Sequence, residues 1–533
     1  MKAYAIALLI LSLLIAGPSV SDEKPPAPSG NLHMACLQGD LGVVEGHIAA
    51  GSDLDAADAY GSTPLTIAIT FGRTEIARAL IEGGADLEWP DKNGSSPLIV
   101  AAFFSRTEIV QTLLEHGASK FVRNDSGSTA YDVVQAPFDI DRPTYDQLAG
   151  ALSPLGLKLD YERIAAARPG IAGMLKLTDD DLLEINYAPE PDNGWEVSTP
   201  GEQGLDPELI SEFYQDASHL NTIYSVLVIK NGKLISEAYF NLGTPEQKAL
   251  LQSASKSYTS ALVGIAIELE YLRRVETKVL DFFPEIADDI SDYRKEIITI
   301  EQMLQMRAGY PWEETSPMLW EGLWAGEFVP LLEEFPLTRD PGTEFQYSNL
   351  TSNWLGLIVA RAYKKDLKVF AEKYLFGPLG VEIGEWQKDV DDNYIGCGGM
   401  HFTARDMARF GQLYLNRGVW EGRKIIPAEW VEASLTEYST NVSTSGVVNG
   451  RRGRYLYDIG YGYQWWSGKA GRTSYWQAAG HGGQHIVLIP SLEMVIVTTA
   501  DPFIGKNRHF EAGKYEAGIV NVLGKFIASL PGE

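Results

Sequence analysis

The sequence predicts a multidomain chain: an all-α helical solenoid followed by an α+β domain built on an antiparallel sheet. Three observations carry this prediction. Glycines recur every 33 residues between positions 51 and 127, strand-like runs flank an Asn-Gly turn at residues 231–232, and two more strand-like runs lie close to the C-terminus. With 533 residues, the chain is also too long for a single core, so several domains are expected.

Composition and charge exclude some classes of partner. Apolar residues make up 45% of the chain and the formal charge is -27, with no dense run of Lys and Arg. Nucleic acid is therefore not expected as a partner, and neither are anionic membrane surfaces. The cysteines Cys36 and Cys397 fall in different predicted domains, so no disulfide is expected. Neither has His or Cys neighbours at zinc-ligand spacing, so we expect no metal and no cofactor.

The first 21 residues are typical of an export signal peptide. Lys2 precedes an apolar run over residues 3–16, and small residues lie just before Asp22. The run is shorter than the roughly 20 residues that span a membrane. We therefore predict a secreted or periplasmic protein with no membrane span after cleavage; the alternative is an uncleaved N-terminal anchor. Residues 22–30 are predicted to form a polar, Pro-rich linker.

Residues 31–135 contain the 33-residue repeat. Turn glycines share one position of the repeat at Gly61, Gly94 and Gly127. Pro64 and Pro97 begin apolar segments with helical spacing, and glycines follow the second helix of each pair. This pattern resembles ankyrin repeats, which implies helix pairs that bury their apolar faces against each other in a solenoid. The resemblance implies a protein-binding surface; a passive spacer is the alternative.

The remainder of the chain divides into two predicted regions. Residues 136–194 form a helical cap and linker, with two short helices separated at Pro169. Residues 195–533 form the second domain. It begins with a hairpin over 224–240, continues with a long apolar helix over 253–272, and ends with two strands and a helix. Strands at both ends of a helical middle predict one antiparallel sheet flanked by helices, with a helical subdomain inserted.

A serine and a lysine at the start of the long helix form the first candidate chemical motif, SxxK. Residues at positions i and i+3 share one helix face, so the Lys256 ammonium can reach the Ser253 hydroxyl. The helix start favours a developing oxyanion, and burial in an apolar helix is expected to lower the pKa of Lys256. A second SxxK match, at residues 21–24, lies at the signal junction and is interpreted as accidental.

Two further motifs complete a candidate active site. Tyr347 and Asn349 lie in a Gly- and Pro-containing loop before an apolar helix; the tyrosine can act as a general base, and the amide can donate to Ser253 or a substrate carbonyl. The second motif, HGG, consists of His481, Gly482 and Gly483 before a strand. Its glycines would let a substrate backbone approach, and the next amide, that of Gln484, could bind an oxyanion.

The SxxK motif, the YxN motif formed by Tyr347 and Asn349, and the HGG motif follow one another along the chain. This order resembles that of the serine beta-lactamase and penicillin-binding-protein superfamily, especially its class C-like branch of esterases, peptidases and amide hydrolases. The similarity covers about two thirds of the chain, residues 195–533. The resemblance implies an α/β/α fold and an acyl-enzyme mechanism. It assigns the nucleophile to Ser253, proton transfer to Lys256 and Tyr347, and the substrate-binding strand to the HGG motif.

One position departs from the pattern of class C beta-lactamases. Their third motif begins with Lys, whose charge helps to hold a carboxylate; here the residue is His481, which is largely neutral near pH 7. An ester, amide or peptide is therefore favoured as substrate over a beta-lactam. A rival third motif begins at Lys469 but lies in a Gly-flanked loop, so we prefer His481. His401 and His485 occupy no motif position and are interpreted as structural.

Two other functions stay open at the level of sequence. The hydrolase fold could be catalytically silent, as a scaffold or a sensor of peptidoglycan fragments, with binding through the ankyrin repeats. The protein could also be a true class C-type beta-lactamase. The substrate, small molecule or peptide, is expected to depend on residues 310–335, which we predict to cover the pocket.

Overall fold

The computed structural model describes residues 28–58, 61–135, 138–178, 184–190, 194–325, 328–442, 453, 455–503 and 508–532. The predicted signal peptide and most of the predicted linker lie outside these residues. The chain divides into two compact units, Met1–Asn124 with Thr129–Lys176 and Asp125–Ser128 with Leu177–Glu533. Among the helices of the described ranges, none has the length and apolar character needed to cross a membrane.

The first unit is entirely helical and built from helix pairs, as predicted. Its helices are α1 Leu32–Gln38, α2 Leu41–Ala50, α3 Pro64–Thr70, α4 Thr74–Glu82, α5 Pro97–Phe103, α6 Thr107–Glu115, α7 Asp132–Gln135, α8 Phe138–Leu152 and α9 Tyr161–Leu175. The threonine and serine before the two helix-starting prolines, Thr63 and Ser96, accept hydrogen bonds from the first turns of α3 and α5. These caps explain why the TPL and SPL sequences begin helices.

Arginines at one repeat position connect successive helix pairs. Arg73 donates to the carbonyl of Leu37 at 2.8 Å, and Arg106, 33 residues later, donates to the carbonyl of Thr70 at 2.9 Å. Each guanidinium thereby satisfies a carbonyl at the end of a helix in the preceding pair. Burial lowers the pKa of Arg106 to about 10, so its charge is retained at neutral pH.

Replacing Arg106 by methionine is expected to destabilise the helix pair formed by α3 and α4. The carbonyl of Thr70 would lose its side-chain donor and that of Ile69 one of its donors, which costs about 1–3 kcal/mol for partly buried groups. Hydrogen-exchange mass spectrometry should show faster exchange over residues 64–82. The control is Arg78→Met, which removes an exposed ion pair with Glu75 and should change exchange little; equal effects of both variants would contradict the assignment.

The predicted helix break at Pro169 is wrong, since α9 continues through this residue. Pro169 lies on the exposed side of α9, where water can replace the hydrogen bond that proline cannot donate. Arg168 next to it is buried and donates to Asp141 at 2.6 Å and to the carbonyl of Val133 at 2.8 Å. These contacts stabilise the helix on both sides of the proline.

The second unit contains a seven-stranded sheet in which every neighbouring pair is antiparallel. Its order is β2-β1-β11-β10-β9-β8-β7. The strands of the unit are β1 Ile223–Lys230, β2 Lys233–Tyr239, β3 Ala249–Leu250, β4 His401–Phe402, β5 Val419–Trp420, β6 Arg423–Lys424, β7 Leu456–Tyr461, β8 Trp466–Ala470, β9 Thr473–Gly480, β10 Gln484–Ile489 and β11 Met494–Ala500. The predicted hairpin and both C-terminal strands are confirmed, whereas β7 to β9 were missed.

The helices of this unit form layers on both faces of the sheet and an insertion between β2 and β7. They are α10 Pro207–Ser218, α11 Ser255–Glu268, α12 Ile300–Leu304, α13 Pro317–Ala325, α14 Phe328–Glu334, α15 Asn349–Tyr363, α16 Leu367–Ala371, α17 Gly377–Leu379, α18 Ala404–Leu415, α19 Ala428–Ser434 and α20 Arg508–Ser529. The predicted α/β/α fold with a helical subdomain is confirmed.

Successive side chains of the central strands point to opposite faces of the sheet and belong to two separate hydrophobic cores. Val226 and Val228 of β1 belong to the core shared with α10 and α20, where Phe213 stacks on Phe526 at 4.2 Å. Leu227, between the two valines, points into the opposite core with α11, α15 and α18. Because both faces are covered, central strands are apolar at successive positions instead of at every second one.

Candidate active site

The candidate nucleophile, Ser253, lies in a single 3₁₀ turn, Gln252–Ala254, that leads directly into α11. Gln252, just before it, has a φ of 50°, which is uncommon for a residue with a side chain. Such a conformation persists only where surrounding contacts hold it. Ser253 is half-buried and lines a cleft of this unit.

Lys256 lies one turn further along α11 and is 2% exposed. Its ammonium donates three hydrogen bonds, to Ser253 Oγ at 2.8 Å, to Asn349 Oδ1 at 2.8 Å and to the carbonyl of Cys397 at 3.0 Å. Three acceptors match the three protons of an ammonium group. The side chain therefore points at the serine hydroxyl from a fixed position.

The pKa of Lys256 shifts in the direction opposite to the one expected from its sequence context. Burial by itself lowers this pKa, but the neighbouring Tyr347, Cys397 and Glu314 outweigh burial and raise it. The expected lowered pKa is thus wrong, because acceptors and acidic groups from distant parts of the chain surround the ammonium. Lys256 is positively charged at neutral pH and acts on Ser253 as a hydrogen-bond donor.

Tyr347 reaches the site from the loop before α15, and Asn349 is the first residue of α15, which packs against α11. The Tyr347 ring stacks on Trp466 with centroids 5.7 Å apart and lies with its centroid 5.0 Å from Lys256 Nζ. Both motif residues are buried. The Asn349 carboxamide oxygen accepts from Lys256, so this side chain orients the lysine.

Glu313 is a residue of the site that the sequence does not reveal. Its carboxylate is 0% exposed and accepts hydrogen bonds from Ser348 Oγ at 2.7 Å and from the backbone amides of Asn349 at 2.9 Å and Leu350 at 3.1 Å. A carboxylate at a helix N-terminus satisfies amides that have no partner within the helix. Burial raises the pKa of Glu313, and these hydrogen bonds offset part of that effect.

Replacing Glu313 by alanine is expected to lower the free energy of unfolding by about 2–4 kcal/mol, because the amides at the start of α15 and the Ser348 hydroxyl would be buried without partners. Turnover should fall as well, since Asn349 would lose its fixed position. Denaturant unfolding and steady-state kinetics measure the two effects. Glu314→Ala, at the neighbouring half-buried carboxylate, is the stability control; an equal loss in both variants would contradict this role of Glu313.

The HGG motif forms the turn between β9 and β10. His481 lines the cleft and its Nδ1 lies 3.3 Å from Glu516 Oε2, which also accepts from the amide of Gly482 at 2.9 Å. A Cβ atom at Gly483, which has a φ of 105°, would lie 2.3 Å from Ile519 of α20. The turn and its packing against α20 therefore favour glycine at this position.

Two other candidates lie away from the cleft lining. Gln484 is fully buried, and its side chain exchanges two hydrogen bonds with the backbone of Ala500 at 2.7 and 3.2 Å. The rival Lys469 lies in β8, has a 50% exposed side chain and pairs with Asp458 at 3.4 Å. The structure thus brings Ser253, Lys256, Tyr347, Asn349 and His481 together but leaves Gln484 and Lys469 outside this group.

The cleft extends from Ser253 towards α20. Residues 310–335 contribute Glu314, Trp320 and Trp324 to its wall. Burial raises the pKa of Cys397, another lining residue, to about 11, so its thiol is protonated at neutral pH. Within the described ranges, no group of three or more acidic, His or Cys side chains could hold a metal ion.

An antiparallel sheet between helical layers, with a serine and a lysine one turn apart at the start of a buried helix, defines a beta-lactamase-fold protein. The chain belongs to the Beta-lactamase family, whose sequence profile matches residues 224–502, more than half of its length. A second profile, for three ankyrin repeats, matches residues 32–124. The combination of a beta-lactamase-fold domain with ankyrin repeats is therefore established.

Proteins similar in sequence to the second unit include one that is named as a hydrolase and one whose name states no activity. The 6-aminohexanoate-dimer hydrolase of Paenarthrobacter ureafaciens is 26% identical over 285 residues, which cover 51% of this chain and 70% of the relative. Protein flp of Staphylococcus aureus strain N315 is 25% identical over 167 residues, covering 29% and 33%. A solved penicillin-binding protein homologue from Caulobacter crescentus has 16% identity and a TM-score of 0.45, covering 62% of this chain and 98% of that chain.

Proposed function

We propose that this protein is a serine hydrolase that cleaves an ester, amide or peptide bond through an acyl-enzyme formed on Ser253. The observation that carries the proposal is the hydrogen bond from the buried Lys256 ammonium to Ser253 Oγ at 2.8 Å. The same ammonium is held by Asn349 and by the carbonyl of Cys397. A fixed positive charge beside a hydroxyl stabilises the alkoxide form that attacks a carbonyl.

In the proposed mechanism, Tyr347 in its phenolate form takes the proton of Ser253 while Lys256 stabilises the alkoxide. The alkoxide attacks the substrate carbonyl, and the proton passes to the leaving alcohol or amine when the ester or amide bond breaks. A water molecule, deprotonated by Tyr347, then attacks the acyl-enzyme; the acid is released and the proton returns to Ser253 Oγ. The contacts that support this order are the three hydrogen bonds of Lys256 and its position over the Tyr347 ring.

For the oxyanion, we propose the backbone amides of Ser253 and Ala479 in place of that of Gln484. The carbonyl of Gly480 accepts from Gly483 within the turn, so the polar backbone groups of Gly480 point towards β10. Because these groups alternate along a strand, those of Ala479 point to the opposite side. Gln477 pairs with Trp466, the first residue of β8, so Ala479 lies beyond the end of β8 and borders the cleft.

The proposed substrate class follows from the third motif and from one relative. His481 next to Glu516 replaces the lysine that holds a carboxylate in class C beta-lactamases. The name of the Paenarthrobacter ureafaciens relative describes hydrolysis of an aminohexanoate dimer. We therefore favour esters, amides or peptides over beta-lactams. We further propose that the chain is exported by residues 1–21 and that the ankyrin repeats bind a protein partner.

The decisive experiment is a substrate panel on the purified mature protein, combined with a fluorophosphonate probe. We expect covalent labelling by the probe and turnover of at least one ester, D-aminoacyl or amide substrate, with little turnover of the beta-lactam nitrocefin. Absence of both labelling and turnover, together with tight binding of a protein partner, would favour the silent scaffold. Nitrocefin turnover faster than that of all other substrates would favour a true beta-lactamase.

A further inference from the structure

We propose that His485 recognises an uncharged hydrogen-bonding group, such as an amide or hydroxyl, on the part of the substrate that enters the inner cleft. This proposal rests on the proposed hydrolase function and names the kind of substrate that it would accept. Three observations carry it: the position of His485 beside the site, the lack of a hydrogen-bond partner for its ring among the described residues, and the apolar residues in the lining of the cleft.

His485 lies one strand away from the proposed oxyanion site. It pairs with Ala479 across the β9–β10 ladder, where neighbouring strands are about 4.8 Å apart. Its side chain is 2% exposed and forms part of the same cleft wall as Ser253. A substrate whose carbonyl reaches Ser253 could therefore extend to the imidazole through the same cavity.

Within the part of the chain that the structure describes, neither ring nitrogen of His485 has a hydrogen-bond partner. Buried polar groups almost always have one, and leaving one unsatisfied costs about 1–3 kcal/mol. The residue therefore does not fit the purely structural role expected from its place in the sequence. A ligand group that enters the cleft would supply the missing partner.

The state of the imidazole indicates the chemistry of that group. Burial lowers the pKa of His485 to about 4, although the nearby Glu516 acts in the opposite direction. At neutral pH the ring is uncharged and offers one N–H donor and one nitrogen acceptor. An amide or a hydroxyl can use either, whereas a carboxylate would find no positive charge here and would meet Glu516.

Part of the cleft lining is apolar. Leu456, Ile459, Val520 and Ala479 line the cleft and also belong to or pack against the core that includes α20. An apolar acyl chain can fill this space, but an entirely apolar chain would leave the imidazole without partners. The substrate predicted by this part of the cleft has an apolar chain that carries one uncharged polar group.

The test compares p-nitrophenyl esters with acyl chains of equal length. In one set of esters, a single amide group occupies different positions along the acyl chain. The octanoate ester is the apolar counterpart. The suberate half-ester is the counterpart that carries a carboxylate. We expect the wild type to prefer the best amide ester over octanoate by about tenfold in kcat/KM. In His485→Phe this preference should fall about tenfold, and His485→Gln should retain part of it.

The ratio of the kcat/KM values of two substrates, measured on one preparation, does not depend on the fraction of folded protein. Partial unfolding of a variant therefore cannot produce the expected change. His401→Phe is the matched control, because His401 bonds a backbone oxygen of Glu385 and lies outside the cleft lining; its ratio should equal that of the wild type. A wild type without preference for any amide ester, or a His485→Phe variant that keeps the preference, would overturn the proposal. If no ester is turned over and no probe binds, the proposed hydrolase function itself fails.

Discussion

Replacing Ser253 by alanine is expected to lower kcat by about 10⁵- to 10⁶-fold and to abolish labelling by a fluorophosphonate probe. Without the hydroxyl no acyl-enzyme can form, so only the weak effect of substrate positioning would remain. The fold should be little affected, because Lys256 keeps Asn349 Oδ1 and the carbonyl of Cys397 as acceptors. Kinetics, probe fluorescence after gel separation and mass mapping of the labelled peptide measure the effect.

The chain offers a closely matched control two residues further on. Ser255 is fully buried in α11, and its hydroxyl has no hydrogen-bond partner among the described residues. Ser255→Ala should therefore keep labelling and turnover. Labelling of Ser253→Ala at another residue would show that the nucleophile lies elsewhere. Loss of labelling in both variants would point to a damaged helix and not to a lost nucleophile.

Replacing Lys256 by methionine is expected to lower kcat/KM by about 10²- to 10³-fold, because the hydrogen bond and the positive charge that stabilise the alkoxide would be lost. Methionine has a similar length and suits an apolar helix, so the variant should fold. The effect should fall mainly on kcat and on the rate of probe labelling, since the ammonium contacts Ser253 and not the predicted substrate cavity. Stopped-flow labelling separates this step from substrate binding.

Lys295 is the appropriate control for removal of a buried lysine. It is buried, pairs with Glu333 at 3.1 Å and lies outside the cleft lining. Lys295→Met should lower the free energy of unfolding, because the buried ion pair with Glu333 would be lost, and should leave the labelling rate close to that of the wild type. If Lys256→Met retained the wild-type labelling rate, the role proposed for its ammonium would be wrong.

Local sequence patterns were sufficient for the repeats and for the main motifs. The 33-residue period predicts the helix pairs because each repeat folds on its own residues and its nearest neighbours. SxxK is likewise readable, since both residues lie on one helix turn. The strands β7 to β9 were missed because glycines and polar residues interrupt their alternation, as at Gly468 in β8.

Other parts of the site depend on contacts between distant residues. Glu313 contacts Ser348 and Asn349 across some 35 positions, and no local pattern marks it as a helix cap. The assignment of Gln484 as oxyanion donor depended on where the turn ends, which only the pairing of β9 with β10 decides. The raised pKa of Lys256 also depends on contacts between distant residues, because Tyr347 and Cys397 reach its ammonium from other elements.

By itself the sequence determined the repeat array, the order of the three motifs, and the pairing of a serine with a lysine on one helix face. Each depends on residues within one or two helical turns or on a regular period, so spacing is enough. Only the tertiary structure decided the charge state of Lys256, the cap formed by Glu313 and the place of His485 in the cleft. Burial and hydrogen bonds between distant segments set these properties, and neither is a property of local spacing.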